Sequence, residues 1–380
     1  MDTKVSIKGV SMKKLGFGGM RLPRLNEDDP KSIDQAQVNE MADYFIKEGF
    51  TYFDTAYPYH QGLSEGAFKK AVVDRYPRES FLLADKMPTF SVFKSEDYER
   101  IFNEQIERCG VEYFDYYLLH NLGTKNYESS LKLGGFEFMN SLKTQGAAKH
   151  IGFSFHDKAE LLDKILTEHP EMEFVQLQLN YIDWESESVQ SRKCYEVARK
   201  HNKPIIVMEP VKGGGLANPP EKAQELLKEY TANMSCASWA IRYVASLEGV
   251  MMVLSGMNDL EQMKDNTSYM KDFTPINEDE SEIILKVVDI INESTAIPCT
   301  NCQYCVDDCP KKINIPAYFS IFNSYSLYGD RNFPKMHYDR QSHGRGKASE
   351  CINCKMCEGH CPQHIKITEK LKLVAAAFEI

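Results

Sequence analysis

The sequence predicts an α/β chain in two parts. A closed parallel (β/α)8 barrel of the TIM type is expected over residues 1–294, and a small, α-rich, cysteine-rich domain over 295–380. Three observations carry this expectation. Strand-like and helix-like stretches alternate over roughly 250 residues, as in a chain of βα units. Three successive strand-like runs end in ionisable residues, which a parallel barrel would gather on one face. Eight of the eleven cysteines fall between Cys299 and Cys361 in two copies of one spacing.

A chain of 380 residues suits a large domain plus a small one, and 42% apolar content is ample for a core. Lys and Arg number 45 against 55 Asp and Glu, a net charge of −10, which argues against a nucleic-acid or anionic-membrane surface. The start, Met1-Asp-Thr-Lys-Val, has no apolar signal core. No apolar run approaches the ~20 residues of a membrane helix. A cytoplasmic location is therefore expected, and there the crowded cysteines suit metal ligation better than disulfides.

Taken in order, Val5–Leu22 carries two short apolar runs around Gly9-Val-Ser. The second ends in Gly16-Phe-Gly-Gly-Met-Arg-Leu22 and is read as the first barrel strand. Gly18 and Gly19 there would allow a ligand close to the backbone, although a simple turn uses glycine equally well. Gln35–Glu48 has helical spacing, with Gly49 placed for a C-terminal cap. A strand then ends at Asp54. Helices are expected at 64–73, 97–109, 127–144, 159–168, 188–201, within 220–247 and at 260–269. Strands are expected at 81–85, 116–119, 150–155, 174–179, 204–208 and 250–255.

Asp54, Tyr59, Lys86 and His120 lie at or just past the ends of three successive strands. A buried Lys beside a Tyr would favour the phenolate and lower the Tyr pKa. Asp54 would hold that Lys charged, Tyr59 would donate a proton to a carbonyl oxygen, and His120 would orient the carbonyl. Tyr57 and His60 read as packing and rim residues.

These residues, in Phe53-Asp-Thr-Ala-Tyr-Pro-Tyr59, Lys86, Asp115-Tyr-Tyr-Leu-Leu-His120 and Ile151-Gly-Phe-Ser154, make residues 5–294 resemble the aldo/keto reductases. The resemblance implies a catalytic tetrad at Asp54, Tyr59, Lys86 and His120, with hydride transfer between a nicotinamide and a carbonyl or alcohol. It also implies cofactor contacts at Gly18, Gly19, Met20, Ser154, Gln176, Met208, Lys212, Gly256, Glu261 and Asn266. Ser154 and Gln176 fall where the family holds the carboxamide, and Lys212 where it would meet the pyrophosphate. Three positions depart from the family: Phe155 replaces an Asn, Met208 a stacking aromatic, and Gln262 the cation that pairs with a 2′-phosphate. NADH and NADPH are both open as the cofactor.

The tail reads Cys299-x2-Cys302-x2-Cys305-x3-Cys309-Pro and Cys351-x2-Cys354-x2-Cys357-x3-Cys361-Pro, the spacing of two-cluster bacterial ferredoxins. In that pattern the fourth Cys ligates the other cluster. Cys299, Cys302, Cys305 and Cys361 would hold one [4Fe–4S] cube, and Cys351, Cys354, Cys357 and Cys309 the other. Structural zinc normally takes two separated Cys pairs instead. A helix is expected at 316–323. The polar, aromatic and basic stretch 324–346 would pack against the barrel, cover a site, or be a solvated loop. An apolar helical face is expected at 368–378, and Cys109, Cys194 and Cys236 as inert core residues.

Hydride transfer moves two electrons together, whereas a [4Fe–4S] cube passes one. Two functions are therefore open: an oxidoreductase coupled to the clusters and to a one-electron partner protein, or an electron-transfer protein whose barrel is a docking scaffold. A flavin would split an electron pair, but no sequence signal marks one.

Overall fold

The structure is a computed structural model that describes residues 5–7, 10–26, 29–186, 189–328 and 332–379. The expected elements at Gly9 and Ser188 lie partly outside these residues. The chain packs into two compact units. The first takes the described residues up to Glu185, with Gln190–Pro210 and Ala237–Asn277; the second takes Val211–Cys236 and the described residues from Glu278 onward, with Ser186 and Val189.

In the first unit eight parallel strands close a barrel: β1 Leu15–Gly18, β2 Tyr52–Asp54, β3 Leu82–Pro88, β4 Phe114–Leu122, β5 Ala148–Phe155, β6 Phe174–Gln178, β7 Ile205–Met208 and β8 Val250–Ser255. Each pairs with its sequence neighbours, and β8 closes on β1 through Leu254 opposite Gly16. A hairpin of Val5–Ile7 with Val10–Met12 precedes them.

Side chains alternate across a strand, so every second residue faces the barrel interior. Tyr52, Ala84, Leu118, Phe174 and Ile206 form a buried interior layer. Two residues further along the same strands stand Asp54, Lys86, His120, Gln176 and Met208. The pleat thus delivers the predicted side chains to one end of the interior. The alternate residues Phe17 and Phe53 face outward and meet Phe45 and Phe68 at ring centroid distances of 5.4–6.0 Å.

The helices follow the expected order: α1 Gln35–Lys47, α2 Ser64–Phe68, α3 Glu96–Cys109, α4 Thr124–Leu133, α5 Gly135–Gln145, α6 Ala159–Glu168, α7 Ser191–Lys200, α8 Glu221–Tyr230, α9 Cys236–Ser246, α10 Leu260–Met270 and α11 Glu278–Ser294. The single helix expected over 127–144 is two, because Gly134 takes φ +80° and ends α4. Likewise α7 starts late, after Gln190 at φ +57°.

In the second unit, α8 packs on α11. The tail adds α12 Ile315–Tyr328, α13 Asn332–Ser342, α14 Met356–Gly359 and α15 Ile367–Phe378. The solvated-loop alternative for 324–346 is corrected by α13. Tyr338, wholly buried, packs 4.7 Å from Tyr318 and 5.3 Å from Phe378 between ring centroids. Its hydroxyl donates to Glu379 and accepts from the Ala348 amide. Aromatic residues that read as loop in sequence are core because α12 and α15 supply their apolar partners.

Candidate active site and cysteine cavities

Lys86 is wholly buried, and its Nζ donates to Asp54 Oδ1 at 2.6 Å and to the Thr55 carbonyl at 2.7 Å. The second Asp54 oxygen is buried without a hydrogen-bond partner. Burial pushes the Asp54 carboxyl up, and the Lys86 ammonium pulls it back. Tyr59, in a short 3-10 turn after Pro58, has its ring centroid 5.1 Å from Lys86 Nζ. The His120 ring stands edge-on to it at 5.9 Å.

Burial, then the charges of Asp54, Glu209 and Asp85, push the Tyr59 phenol well above its ordinary range, with Arg21 opposing. The expected lowering by Lys86 is thereby corrected. Lys86 is bound to Asp54, so the pair presents little net charge to the phenol, and desolvation wins. Tyr59 is a protonated donor. Burial and the Lys86 charge hold His120 well below its usual range, so the imidazole is neutral, with Nδ1 unpartnered. His60 is a structural residue, as its sequence context suggested. Its Nε2 accepts from the Leu22 amide, so its Nδ1 donates to the Pro30 carbonyl.

Ser154 and Gln176 face each other in register on β5 and β6. Ser154 Oγ accepts from the Asn121 amide at 2.8 Å, which leaves its hydroxyl hydrogen free to donate. Gln176 Oε1 is buried without a partner. A donor beside an orphaned acceptor fits a primary amide such as nicotinamide carboxamide. Met208, half-buried, ends β7. Asn121 was not foreseen; its role rests on a left-handed backbone at φ +62°, which no side-chain pattern announces.

The remaining predicted contacts are engaged by the protein itself. A Cβ on Gly19 would lie 2.6 Å from Ser64 Oγ, so this glycine admits the loop that follows Asp54. Gly18 approaches the Ser255 carbonyl, and Met20 follows in a 3-10 turn. The Arg21 side chain lies over Gly256 and reaches Glu209 at 3.9 Å. Asn266 Nδ2 donates to Ser255 Oγ, and its Oδ1 accepts from the Tyr269 hydroxyl. Glu261 pairs with Lys264 at 2.8 Å. The Gln262 side chain donates to Asn258 and Asp259. Residues 255–266 therefore satisfy one another's polar groups.

Lys212 belongs to the second unit, where its Nζ donates to Gln363 Oε1 at 3.0 Å. Beside it, Gly213 has φ +66°, and a Cβ there would meet the Thr300 carbonyl at 2.1 Å. Thr300 and Gln363 line a cavity that also contains Cys299, Cys302, Cys305 and Cys361. A second cavity is lined by Cys309, Cys351, Cys354 and Cys357, and Ile315 lines both. The chain brings together three cysteines of one motif and the last of the other, twice.

None of these cysteines forms a disulfide. Burial and neighbouring thiols push Cys357 up to about 12 and raise Cys305 further. Four thiols lining one cavity need cations to ionise together. Asn301, Gln303, Asn353, Lys355 and His364 take positive φ in the motif loops, and the Ile313 amide donates to Cys309 Sγ at 3.5 Å. Four-thiol sets with backbone donors and apolar walls fit iron–sulfur cubes. Outside the motifs, Cys109 is buried against Asp85 and Glu65, with its thiol pushed well above the usual range. Cys194 is pushed up to about 12 by burial.

Residues 14–289 match the aldo/keto reductase family, and residues 298–366 match the 4Fe-4S dicluster domain. Among solved structures, an aldo-keto reductase of Bacillus halodurans in its holo form shares 21% identity, with 75% of this chain and 95% of that one covered and a TM-score of 0.60. An aldo/keto reductase of Klebsiella pneumoniae in complex with NADP and acetate shares 17%, covering 76% and 96% with a TM-score of 0.61. One from Brucella melitensis shares 22%, covering 75% and 97% with a TM-score of 0.57. At these identities the likeness is one of fold. No curated protein sequence matches. No helix among the described residues is long and apolar enough to cross a membrane.

Proposed function

Since the chain belongs to the aldo/keto reductase family, we propose that it is an oxidoreductase acting on a small carbonyl or alcohol with a nicotinamide cofactor, coupled to two [4Fe–4S] clusters in its tail. The observation that carries this reading is the buried quartet. Lys86 is fixed by Asp54 and the Thr55 carbonyl, Tyr59 stands protonated above it, and His120 is neutral beside it.

When bound, the nicotinamide supplies or accepts the hydride. Tyr59 Oη donates the proton that neutralises the developing alkoxide, or takes it back in the reverse direction. Lys86 offsets the phenolate charge left behind, and Asp54 keeps Lys86 in place. The neutral His120 orients the carbonyl oxygen. Ser154 would donate to a carboxamide oxygen, and Gln176 Oε1 would accept from its nitrogen.

The tail cysteines would hold two cubes in the crossed assignment, Cys299, Cys302, Cys305 and Cys361 for one and Cys309, Cys351, Cys354 and Cys357 for the other. Such clusters supply electrons one at a time. The second reading is an iron–sulfur electron-transfer protein whose barrel serves as a scaffold. The observation favouring it is the self-satisfied polar network at 255–266, which leaves little for an adenosine phosphate. The deciding experiment supplies anaerobically purified protein with NADH or NADPH and a panel of small aldehydes and ketones, and follows nicotinamide oxidation. Turnover that disappears in Tyr59→Phe supports the first reading. Absence of turnover with every pair contradicts it.

A further inference from the structure

The two cysteine motifs are unequally exposed. In the first, Cys305 is buried and Cys299 and Cys302 are half-buried. In the second, the five residues from Ile352 to Met356 are all exposed, Cys354 among them. Ile352 and Met356, on either side of Cys354, are 57% and 48% exposed. Neither belongs to the tail's buried core, although Ile352 also lines the second cysteine cavity.

Charge points the same way. The chain's net charge is −10, yet residues 295–380 carry eleven Lys and Arg against eight Asp and Glu, leaving thirty-four against forty-seven in the first 294. The tail is a basic segment on an acidic protein. Lys311 and Lys355 line the second cysteine cavity itself, and Lys355 sits at φ +60° within the exposed run. The carboxylates near it are engaged locally: Asp308, exposed beside Asp307, pairs with His360 at 3.0 Å. Glu358 accepts from the Thr368 amide and hydroxyl, and Glu350 accepts from the Lys347 amide. An exposed apolar pair flanked by Lys311 and Lys355 is complementary to an acidic protein surface, with charge steering the encounter and apolar contact holding it.

We propose that the face made by Ile352, Cys354, Lys355, Met356 and Lys311 docks a small acidic one-electron carrier protein. This rests on the reading of the tail as an electron-transfer module. On docking, the reduced carrier loses one electron and the group held by Cys309, Cys351, Cys354 and Cys357 gains it; no proton or further reactant is required. Such encounters are small and transient, so a compact patch suffices.

The test uses the anaerobically purified full chain and, as probe, an acidic plant-type [2Fe–2S] ferredoxin. Binding is measured by calorimetry at low and high salt, and tail reduction is followed by absorbance with reduced ferredoxin or with methyl viologen, which needs no docking face. The expected result is binding that weakens with salt and falls about tenfold or more in Lys355→Glu and in Ile352→Ser. Because Lys355 and Ile352 also line the second cysteine cavity, iron content and methyl viologen reduction are measured on each variant, and Met356→Ser, outside that lining, should weaken binding in the same way. Lys286→Glu makes the same charge change on α11 and should have little effect. If Lys355→Glu and Ile352→Ser bind like Lys286→Glu, or if the parent binds no ferredoxin, the docking face is wrong. If methyl viologen reduces nothing, the electron-transfer reading fails, and ferredoxin binding still decides the face.

Discussion

Lys212 Nζ donates to Gln363 Oε1 at 3.0 Å, which joins two distant segments of the chain within the second unit. Gly213 reinforces the tie, since its missing Cβ leaves room for the Thr300 carbonyl. Sequence reasoning reserved Lys212 for a cofactor pyrophosphate. The structure gives its ammonium a partner in the wall of the first cysteine cavity.

The close fit at Gly213 carries one prediction. Gly213→Ala must place a Cβ within 2.1 Å of a backbone oxygen at φ +66°. The variant should unfold at lower temperature, by more than the ~1 kcal/mol of an ordinary Gly-to-Ala mismatch. Thermal melting followed by circular dichroism checks this, and an unchanged melting temperature would remove the argument for a tight loop.

The tail should carry about eight iron and eight acid-labile sulfide per chain when purified without oxygen. Metal and sulfide analysis decides it. Zinc in place of iron, or four iron with the second motif unused, contradicts the crossed assignment.

Tyr59→Phe should remove carbonyl reduction by on the order of 10²–10⁴-fold, the worth of general acid catalysis. Cofactor binding, followed by nicotinamide fluorescence, should hardly change, because only the hydroxyl is lost. Full turnover in the variant would show that another group donates the proton.

NADH and NADPH should bind alike. Gln262 donates to Asn258 and Asp259, and Lys264, the cation within residues 255–266, is held by Glu261. Fluorescence titration of each cofactor is the check. A preference for NADPH of about a hundredfold, roughly 2.7 kcal/mol, would mean that a cation meets the 2′-phosphate after all.

Behind Lys86, outside the barrel wall, Glu65 and Asp85 are both buried, and Arg108 reaches Glu65 at 3.1 Å. Burial raises the Glu65 carboxyl to about 7, and burial with the Glu65 charge raises Asp85 well above its ordinary range. A carboxyl raised on folding binds its proton more tightly in the folded chain. Its contribution to stability is present in full below the unfolded value near 4.5 and is lost as pH rises toward about 7. Glu65→Gln should therefore flatten the fall of melting temperature over that interval. An identical pH profile in parent and variant would show that Glu65 ionises normally.

The barrel was legible because its pleat is regular. Tyr52 and Asp54, or Phe174 and Gln176, sit two residues apart, so strand placement alone assigns the interior face. The strand-end placement of Asp54, Lys86 and His120 was readable from the strand pattern, whereas their joint role came from the family resemblance and the crossed cysteine sets from the ferredoxin-type spacing. What escaped had no local signature. Gly134 ends a helix that periodicity alone continues. Tyr338 reads as part of a polar loop until Tyr318 and Phe378 cover it. The Tyr59 phenol rises rather than falls because Lys86 is already bound to Asp54, and burial of that depth is a property of the fold.

The central claim is that the tail exchanges electrons with the chemistry of the barrel. The most direct measurement compares the parent with Cys302→Ala/Cys354→Ala under anaerobic conditions, assaying turnover driven by a one-electron donor and by reduced nicotinamide in parallel. Folding is verified by circular dichroism and melting, since losing a cluster ligand can unfold its domain. The account predicts that one-electron-driven turnover disappears while nicotinamide-driven reduction survives on Asp54, Tyr59, Lys86 and His120. A well-folded double variant that keeps every activity of the parent would contradict it and leave the clusters a structural role.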